Sequence, residues 1–162
     1  MNFKIKQKVF AFGDKFTIRN EFGEPILNVQ GKVFSLGDKL RIYDGQMNEI
    51  FYIEQKLFRL LPEYRIYEHG REVAFLKKEF TFFKPKINIE SDYGSFRIEG
   101  SVFHYNFEIY EGSELVAVVN KKFIAFSDEY NLEVLDDSNV PFLITLVIVI
   151  DQILHDNNRN NH

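Results

Sequence analysis

The chain has 162 residues, of which 45% are hydrophobic, and its formal net charge is −4. This length supports one hydrophobic core rather than two, and the composition is that of a folded domain. The absence of cysteine excludes disulfides, thiolate nucleophiles and cysteine metal sites, and the net negative charge argues against nucleic acid as a partner. We therefore expect a single domain over residues 1–156 and a disordered polar tail over 157–162.

The N-terminal stretch MNFKIKQKVFAFGDK alternates apolar residues with Lys4, Lys6 and Lys8. Strict alternation of this kind is typical of a strand that buries one face. The stretch holds no apolar run of signal-peptide length, so we expect a cytoplasmic protein.

Three segments of the chain share one pattern at an offset of roughly 45 residues. Equivalent positions carry an isoleucine, a turn glycine and a recurring lysine. These are Ile18, Ile66 and Ile109; Gly23, Gly70 and Gly112; and Lys32, Lys78 and Lys122. The pattern predicts three copies of one structural unit.

Each copy is predicted to form four strands, because short alternating runs of Phe, Tyr, Ile and Val are separated by turn residues. The third strand of each copy is long and, as the first copy shows near Gly31, loses its alternation, which suggests a bulge or bend beside the recurring lysine. The predicted strands are residues 2–11, 15–20, 25–36, 39–44, 49–59, 63–68, 72–83, 86–90, 95–104, 106–111, 114–126 and 129–135.

Twelve antiparallel strands are expected to close into a barrel, because an open twisted sheet rarely exceeds about ten strands. Closure also removes the exposed edges of the sheet. A barrel of this size is too wide for its own side chains to fill, so its interior requires a ligand or a plug.

The most apolar stretch of the chain is VPFLITLVIVIDQILHD at residues 140–156. It is shorter than the about 20 apolar residues of a transmembrane helix, so we expect no transmembrane span. Its β-branched residues favour a strand, but Pro141 and the spacing of apolar residues from Ile150 to Leu154 favour a helix. A helix from Val140 to Leu154 would be about 22 Å long, which matches a barrel of roughly 20 Å. We therefore predict that a hydrophobic C-terminal helix fills the barrel.

The threefold pattern and the ending DEYNLEVLDDSNVPFLITLVIVIDQILHD, in which an apolar helix is interrupted by Asp151, resemble the LURP-one-related family. The resemblance covers Asn2 to Asp156. It implies the Tubby C-terminal-like fold, which this family shares with phospholipid scramblases: a mainly β, twelve-stranded closed antiparallel barrel around a hydrophobic C-terminal helix.

The resemblance implies less about function. Tubby-like relatives bind phosphoinositides through basic residues, which cannot be matched position by position to this chain. A scramblase-like calcium segment would fall on residues 128–139, which lack the glycine that a calcium loop needs for its sharp turn. We therefore expect no calcium site.

Catalytic motifs are missing from the sequence. The nucleophile elbow, the phosphate-binding loop and the dinucleotide-binding fingerprint do not match. The histidines His69, His104, His155 and His162 have no metal-ligand spacing. We expect no enzyme, no metal and no other cofactor.

Asp151 is an acidic residue late in an apolar helix. A buried carboxylate must be paired or protonated. Asp151 therefore lies either where the helix emerges from the barrel and meets water or a lysine, or in a structural ion pair or a site at the barrel mouth.

A set of lysines near the recurring position is the second candidate site. Such lysines commonly guard strand faces and bends. Clustered on one side of a barrel, they would instead bind anionic lipid headgroups or an acidic protein partner. The candidate residues are Lys32, Lys77, Lys78, Lys84, Lys86, Lys121 and Lys122.

Three hypotheses for function remain open at this point. The first is a non-enzymatic cytoplasmic binding or scaffold module, peripheral to the membrane if the lysines bind anionic phospholipid. The second is a carrier of a small apolar ligand in the barrel lumen, which requires that the helix leave the lumen empty. The third, an enzyme at the barrel mouth, rests on Asp151 alone.

Overall fold

The computed structural model describes residues 1–6, 15–32, 39–56, 63–79, 86–121 and 129–160. These residues form twelve strands and one long helix. The strands are β1 (Asn2–Lys6), β2 (Lys15–Asn20), β3 (Pro25–Lys32), β4 (Lys39–Tyr43), β5 (Glu49–Lys56), β6 (Glu63–Glu68), β7 (Arg71–Glu79), β8 (Lys86–Ser91), β9 (Gly94–Ser101), β10 (Asn106–Glu111), β11 (Glu114–Asn120) and β12 (Glu129–Val134), and the helix is α1 (Val140–Asn160).

The strands form a closed barrel in which every strand is antiparallel to both of its neighbours. Each strand pairs with the next along the chain, and β1 closes the barrel by pairing with β12, with Phe3 opposite Leu132. The alternation of apolar and polar residues puts one face of every strand into the interior, where burial of apolar surface drives folding. The predicted mainly β, twelve-stranded barrel with a C-terminal helix is confirmed.

The threefold repeat is visible in the backbone as well as in the sequence. Gly23, Gly70 and Gly112 each adopt a positive φ in the turn that joins the second and third strands of a copy. The strand register shifts directly after Ile18, Ile66 and Ile109, so each copy carries its bulge at the same place. The repeated bulges give each copy the extra twist that closing a barrel requires.

The bulge predicted at Gly31 is wrong. β3 pairs with β4 in regular register through Lys32, and Gly31 lies opposite Leu40. A Cβ atom at Gly31 would come within 2.7 Å of the Lys39 carbonyl oxygen. Glycine is therefore needed there because two backbones approach closely, and not because the strand bends.

One predicted strand is too long. β9 ends at Ser101, and Val102–His104 form a short 3-10 helix in place of the predicted strand end. The predicted strands 95–104 and 106–111 left one residue for the chain to reverse, and the 3-10 turn supplies the length that the reversal needs. The predicted strand ends at 7–11, 33–36, 57–59, 80–83 and 122–126 lie outside the described residues.

The helix α1 lies within the barrel over the part whose burial the structure describes. Every residue from Phe142 to Ile153 is buried, so the strands surround this part of the helix. The helix has 21 residues, about 31 Å at 1.5 Å per residue, and extends to Asn160, into the segment predicted as a tail. Nowhere in the described part of the chain is a helix both long and apolar enough to cross a bilayer.

The two ends of the barrel are built differently. At one end, which we call the hairpin end, turns at 21–24, 44–48, 69–70, 92–93 and 112–113 join neighbouring strands, and residues 135–139 lead from β12 into α1. The helix therefore enters the barrel at the hairpin end and points toward the opposite end. At that opposite end β1, β3, β5, β7, β9 and β11 finish, and the even-numbered strands begin.

Candidate functional site

Lysines gather at the end of the barrel opposite the hairpins. Each lies at the terminus of its strand or within two residues of it, and antiparallel pairing brings all of these termini to one end. We call this the lysine end. Its described members are Lys6, Lys15, Lys32, Lys39, Lys56, Lys77, Lys78, Lys86 and Lys121.

The sequence identified part of this group. Of the predicted lysines, Lys32, Lys77, Lys78, Lys86 and Lys121 lie at the lysine end, whereas Lys84 and Lys122 lie outside the described residues. The prediction missed Lys6, Lys15, Lys39 and Lys56. Lys15 and Lys39 open predicted strands, which was a signal for them, whereas Lys6 and Lys56 lie inside the predicted strands 2–11 and 49–59.

Glutamates accompany some of these lysines on neighbouring strands. Glu54 lies opposite Lys39 in the register and forms an ion pair of 3.4 Å with Lys56. Glu63 lies opposite Lys77. A hydrogen bond with Tyr67 raises the pKa of Lys56, which keeps this lysine charged. The lysines of this end outnumber its described glutamates, which are Glu54, Glu63, Glu79, Glu99, Glu108 and Glu129.

The hairpin end has the opposite charge. Its arginines are Arg19, Arg41, Arg71 and Arg97, the last of which donates to the Gly112 carbonyl oxygen, and carboxylates outnumber them. The described carboxylates in the hairpins or near them are Glu21, Glu24, Asp44, Glu49, Glu68, Glu72, Glu90, Asp92, Glu111, Glu114, Glu133, Asp136 and Asp137. The barrel therefore has a positive end and a negative end, although its net charge is small.

Asp151 lies inside the barrel near the lysine end and does not meet solvent, because only 2% of its surface is exposed. The Tyr105 hydroxyl donates a hydrogen bond of 2.6 Å to Asp151 Oδ1. Tyr105 ends the 3-10 helix after β9 with a left-handed φ of 51°, and its carbonyl oxygen accepts a bond of 2.8 Å from the Lys121 amide. Asp151 is therefore buried, and the alternatives in which it meets a lysine or belongs to a site at the barrel mouth stay predictions.

Aromatic and polar groups surround this carboxylate. The Tyr130 ring lies 4.8 Å from the Tyr105 ring, and the ammonium of Lys121 lies 5.8 Å from the Tyr105 ring centre. Burial, and then the negative charge of Asp151, raise the pKa of the Tyr130 hydroxyl well above its usual value. Within the described part of the chain, the Tyr130 hydroxyl and the Gln152 Nε2 atom are buried and have no hydrogen-bond partner.

Sequence reasoning found Asp151 and missed the residues around it. Tyr130 lies on the inward-facing side of β12, and the alternation of that strand does not show which part of the helix it faces. Tyr105 fell in the single residue between two predicted strands, where the chain has to turn. That gap was a signal for an irregular segment, although it did not indicate a partner for Asp151.

The lumen of the barrel is occupied by α1. Phe142 packs against Phe51 and Phe96, with ring centres 5.8 Å apart in both pairs, and it stacks on Tyr93 at 4.4 Å. Helical side chains continue this packing as far as Ile153. The carrier hypothesis requires an empty lumen, whereas the described part of the chain has α1 inside the lumen.

The fold and the site define a class of protein: a twelve-stranded closed β-barrel, built from three copies of a four-strand unit, that encloses its own C-terminal helix. Residues 1–151 match the family described as LURP-one-related. The chain belongs to the LURP-one-related family.

Two known proteins are similar along nearly the whole chain. The uncharacterised protein YxjI of Bacillus subtilis strain 168 is 33% identical over 151 residues, which cover 93% of this chain and 92% of that protein. An X-ray structure of a protein from Arabidopsis thaliana has a TM-score of 0.66 at 19% identity and covers 94% of this chain and 90% of that one. The second similarity shows a shared fold.

Proposed function

We propose that the chain is a non-enzymatic binding module whose lysine end binds the anionic phospholipid of a membrane surface. The observation that carries this proposal is the separation of charge between the two ends of the barrel. Lysines lie at or near the ends of eight of the twelve strands at one end of the barrel, from Lys6 on β1 to Lys121 after β11, and carboxylates border the other end.

The charge separation supports a membrane surface over a small anion. A basic residue near an anionic bilayer contributes about 1 kcal/mol of attraction, and a planar surface engages many such residues together. The hairpin end is repelled by the same surface, so the barrel is oriented with its lysine end toward the lipid. Salt weakens attraction of this kind because the screening length falls to about 8 Å at physiological ionic strength.

Exposed lysines provide a direct test. Lys15 and Lys77 are both exposed and belong to different parts of the lysine end. We expect Lys15→Gln combined with Lys77→Gln to reduce partitioning onto phosphatidylserine-containing vesicles by roughly 30-fold, which corresponds to about 2 kcal/mol. The measurement is cosedimentation with vesicles at low salt, repeated at increasing salt.

The matched control is at the other end. Arg19→Gln combined with Arg71→Gln removes the same charge from two exposed residues of the hairpin end. We expect this variant to bind vesicles at least as well as the wild type. An equal loss of binding in both variants would show that net charge alone matters. An absence of binding at low salt would contradict the membrane proposal and favour an acidic protein partner for the lysine end.

A further inference from the structure

Exposed apolar side chains lie at the hairpin end of the barrel. In the described part of the chain, every large hydrophobic side chain that is strongly exposed lies there: Met1, Phe22, Met47 and Leu135. Phe22 is the extreme case, with 80% of its surface exposed. Isolated exposed apolar residues are common on proteins, but a group confined to one end of a barrel marks an interaction surface.

These residues lie on one continuous sector of the rim. Going round the barrel, Leu135 follows β12, Phe22 is in the turn between β2 and β3, and Met47 is in the turn between β4 and β5. Five spacings of about 4.8 Å separate β12 from β5, so the sector is about 24 Å wide. Asn28 Nδ2 contacts Met47 Sδ at 3.6 Å, which holds the methionine against β3.

The turn that carries Phe22 is held in one conformation. Asn20 Oδ1 accepts hydrogen bonds from the amides of Phe22 and Glu24, at 3.0 and 2.9 Å. The Arg19 guanidinium donates to the Gly23 carbonyl oxygen at 2.8 Å. A side chain on a turn fixed in this way loses little conformational freedom when it binds, which favours its use as an anchor.

The turn that carries Met47 is built by the same rule. Asp44 Oδ1 accepts hydrogen bonds from the amides of Gln46 and Asn48, both at 2.9 Å. Met47 takes the position that Gly23 takes in the other turn, with a φ of 65°. A side chain in the left-handed region costs about 1–2 kcal/mol, so the backbone at this position favours glycine over methionine.

Carboxylates surround the exposed apolar residues. Hydrogen bonds from Asn48 lower the pKa of Asp44, and hydrogen bonds from Ser138 lower the pKa of Asp136, so both remain ionised near neutral pH. Other carboxylates of this sector are Glu21, Glu24, Glu49, Glu133 and Asp137. The surface therefore combines apolar anchors with negative charge.

We propose that this sector of the hairpin end binds a protein partner through a basic segment whose lysines or arginines alternate with apolar side chains. Charge complementarity selects the basic residues, and Phe22, Met47 and Leu135 select the apolar ones. An extended segment of about seven residues spans the 24 Å sector. The proposal does not depend on lipid binding at the other end.

Two other occupants fit less well. An anionic lipid surface is repelled by the carboxylates of this sector. The lysine end of a second copy has complementary charge, but the described residues of that end present no strongly exposed large hydrophobic side chain to the apolar anchors. A partner segment that supplies both kinds of side chain satisfies the whole surface.

The test uses random peptides displayed on phage and selected on the full-length protein. We expect the selected peptides to be rich in lysine or arginine and in apolar residues, and to bind the wild type in a salt-sensitive way when resynthesised. Phe22→Ser combined with Met47→Gly should weaken this binding about tenfold or more, as truncating interface anchors does. Both positions are exposed, so the variant is expected to fold.

The controls separate this proposal from the lipid proposal. Lys15→Gln with Lys77→Gln should leave peptide binding unchanged, and Phe22→Ser with Met47→Gly should leave vesicle binding unchanged. The proposal is overturned if no peptide is selected, if the selected peptides lack basic residues, or if binding survives Phe22→Ser with Met47→Gly. Concentration-dependent self-association that this variant abolishes would also overturn it, because the occupant would then be a second copy.

Discussion

The two ends of the barrel hold the same helix in different ways. At the hairpin end Phe142 is packed among the aromatic rings of Phe51, Tyr93 and Phe96. At the lysine end Asp151 accepts a hydrogen bond from Tyr105. The first end gains stability from apolar burial, which tolerates small displacements, whereas the second requires a defined geometry between two polar groups. The difference indicates that one end anchors the helix and the other sets its depth and rotation.

The largest expected effect comes from removing the helix altogether. A chain that ends at Asn139 leaves the barrel lumen empty and exposes the inward-facing apolar residues to water, so we expect no folded protein. A chain that ends at Asp156 keeps every residue of α1 that is described as buried and is expected to fold. Circular dichroism and size-exclusion chromatography of the two chains check this. A folded chain without α1 would contradict the role of the helix as a plug.

Phe142→Ala tests the anchor at the hairpin end. Truncating a buried phenylalanine is expected to cost about 3–5 kcal/mol of unfolding free energy, because it removes apolar burial and leaves a cavity. Urea denaturation measures the change. Phe22→Ala is the matched control, since Phe22 is exposed and its truncation should change stability by less than about 0.5 kcal/mol. Similar losses in the two variants would contradict the anchor.

Tyr105→Phe tests the polar contact at the lysine end. It removes the hydroxyl that donates to the buried Asp151 carboxylate, and we expect a loss of about 1–3 kcal/mol. Tyr110→Phe is the matched control, because Tyr110 donates a bond of equal length, 2.6 Å, to the half-buried Glu108. That loss should be small. Equal losses would show that burial of Asp151 does not strengthen the requirement for its partner.

These two ends were not equally predictable from the sequence. Alternation, turn residues and the repeat predicted the barrel, because the side-chain period and strand number are local properties. The apolar run beginning at Val140 predicted the plug, since only a buried helix is apolar all round. The contact between Asp151 and Tyr105 joins residues 46 positions apart, and it depends on the depth of the helix and on an irregular turn.

The separation of charge between the two ends was only partly predictable from the sequence. Each lysine and carboxylate is visible in the sequence, and strand order assigns each to an end once the strands are known. The prediction followed the recurring lysine of the repeat, and so it missed Lys15 and Lys39, which open strands rather than close them. Counting charge by strand terminus, rather than by repeat position, would have added Lys15 and Lys39.

Alkaline pH tests both ends of the barrel, because each end holds a tyrosine whose pKa is raised. Burial and the charge of Asp151 raise the pKa of Tyr130 at the lysine end, and burial and then Glu68 raise the pKa of Tyr93 at the hairpin end to about 12. The unfolded chain releases these protons near pH 10, whereas the folded chain retains them. The stabilisation of the native state is therefore complete below pH 10 and is lost as the pH rises above it.

Denaturation at a series of pH values, with tyrosinate absorbance as a second signal, measures this loss. We expect Tyr130→Phe and Tyr93→Phe each to reduce the decline in stability above pH 10. Tyr130→Phe should reduce it more, because Tyr130 is fully buried and Tyr93 is only partly buried. An unchanged decline in Tyr130→Phe would contradict the electrostatic account of the lysine end.

The smallest effect concerns the exposed turns of the hairpin end. Met47→Gly replaces a residue at a φ of 65° with one that adopts this conformation freely, and it also gives the unfolded chain more freedom. The two effects oppose each other, and we expect a net gain of about 1 kcal/mol or less, since the left-handed strain is the larger of the two. Thermal denaturation is a suitable measurement.

Gly23→Ala makes the reverse substitution at the equivalent position of the turn between β2 and β3. A Cβ atom at Gly23 would meet nothing within 4 Å, so the expected loss of about 1 kcal/mol reports backbone strain alone.

If Met47→Gly stabilises the protein while it weakens peptide binding, then methionine is kept at this position for recognition rather than for folding. If Met47→Gly destabilises the protein, the Met47 side chain contributes to the folded state, and the argument that it serves as an exposed anchor fails.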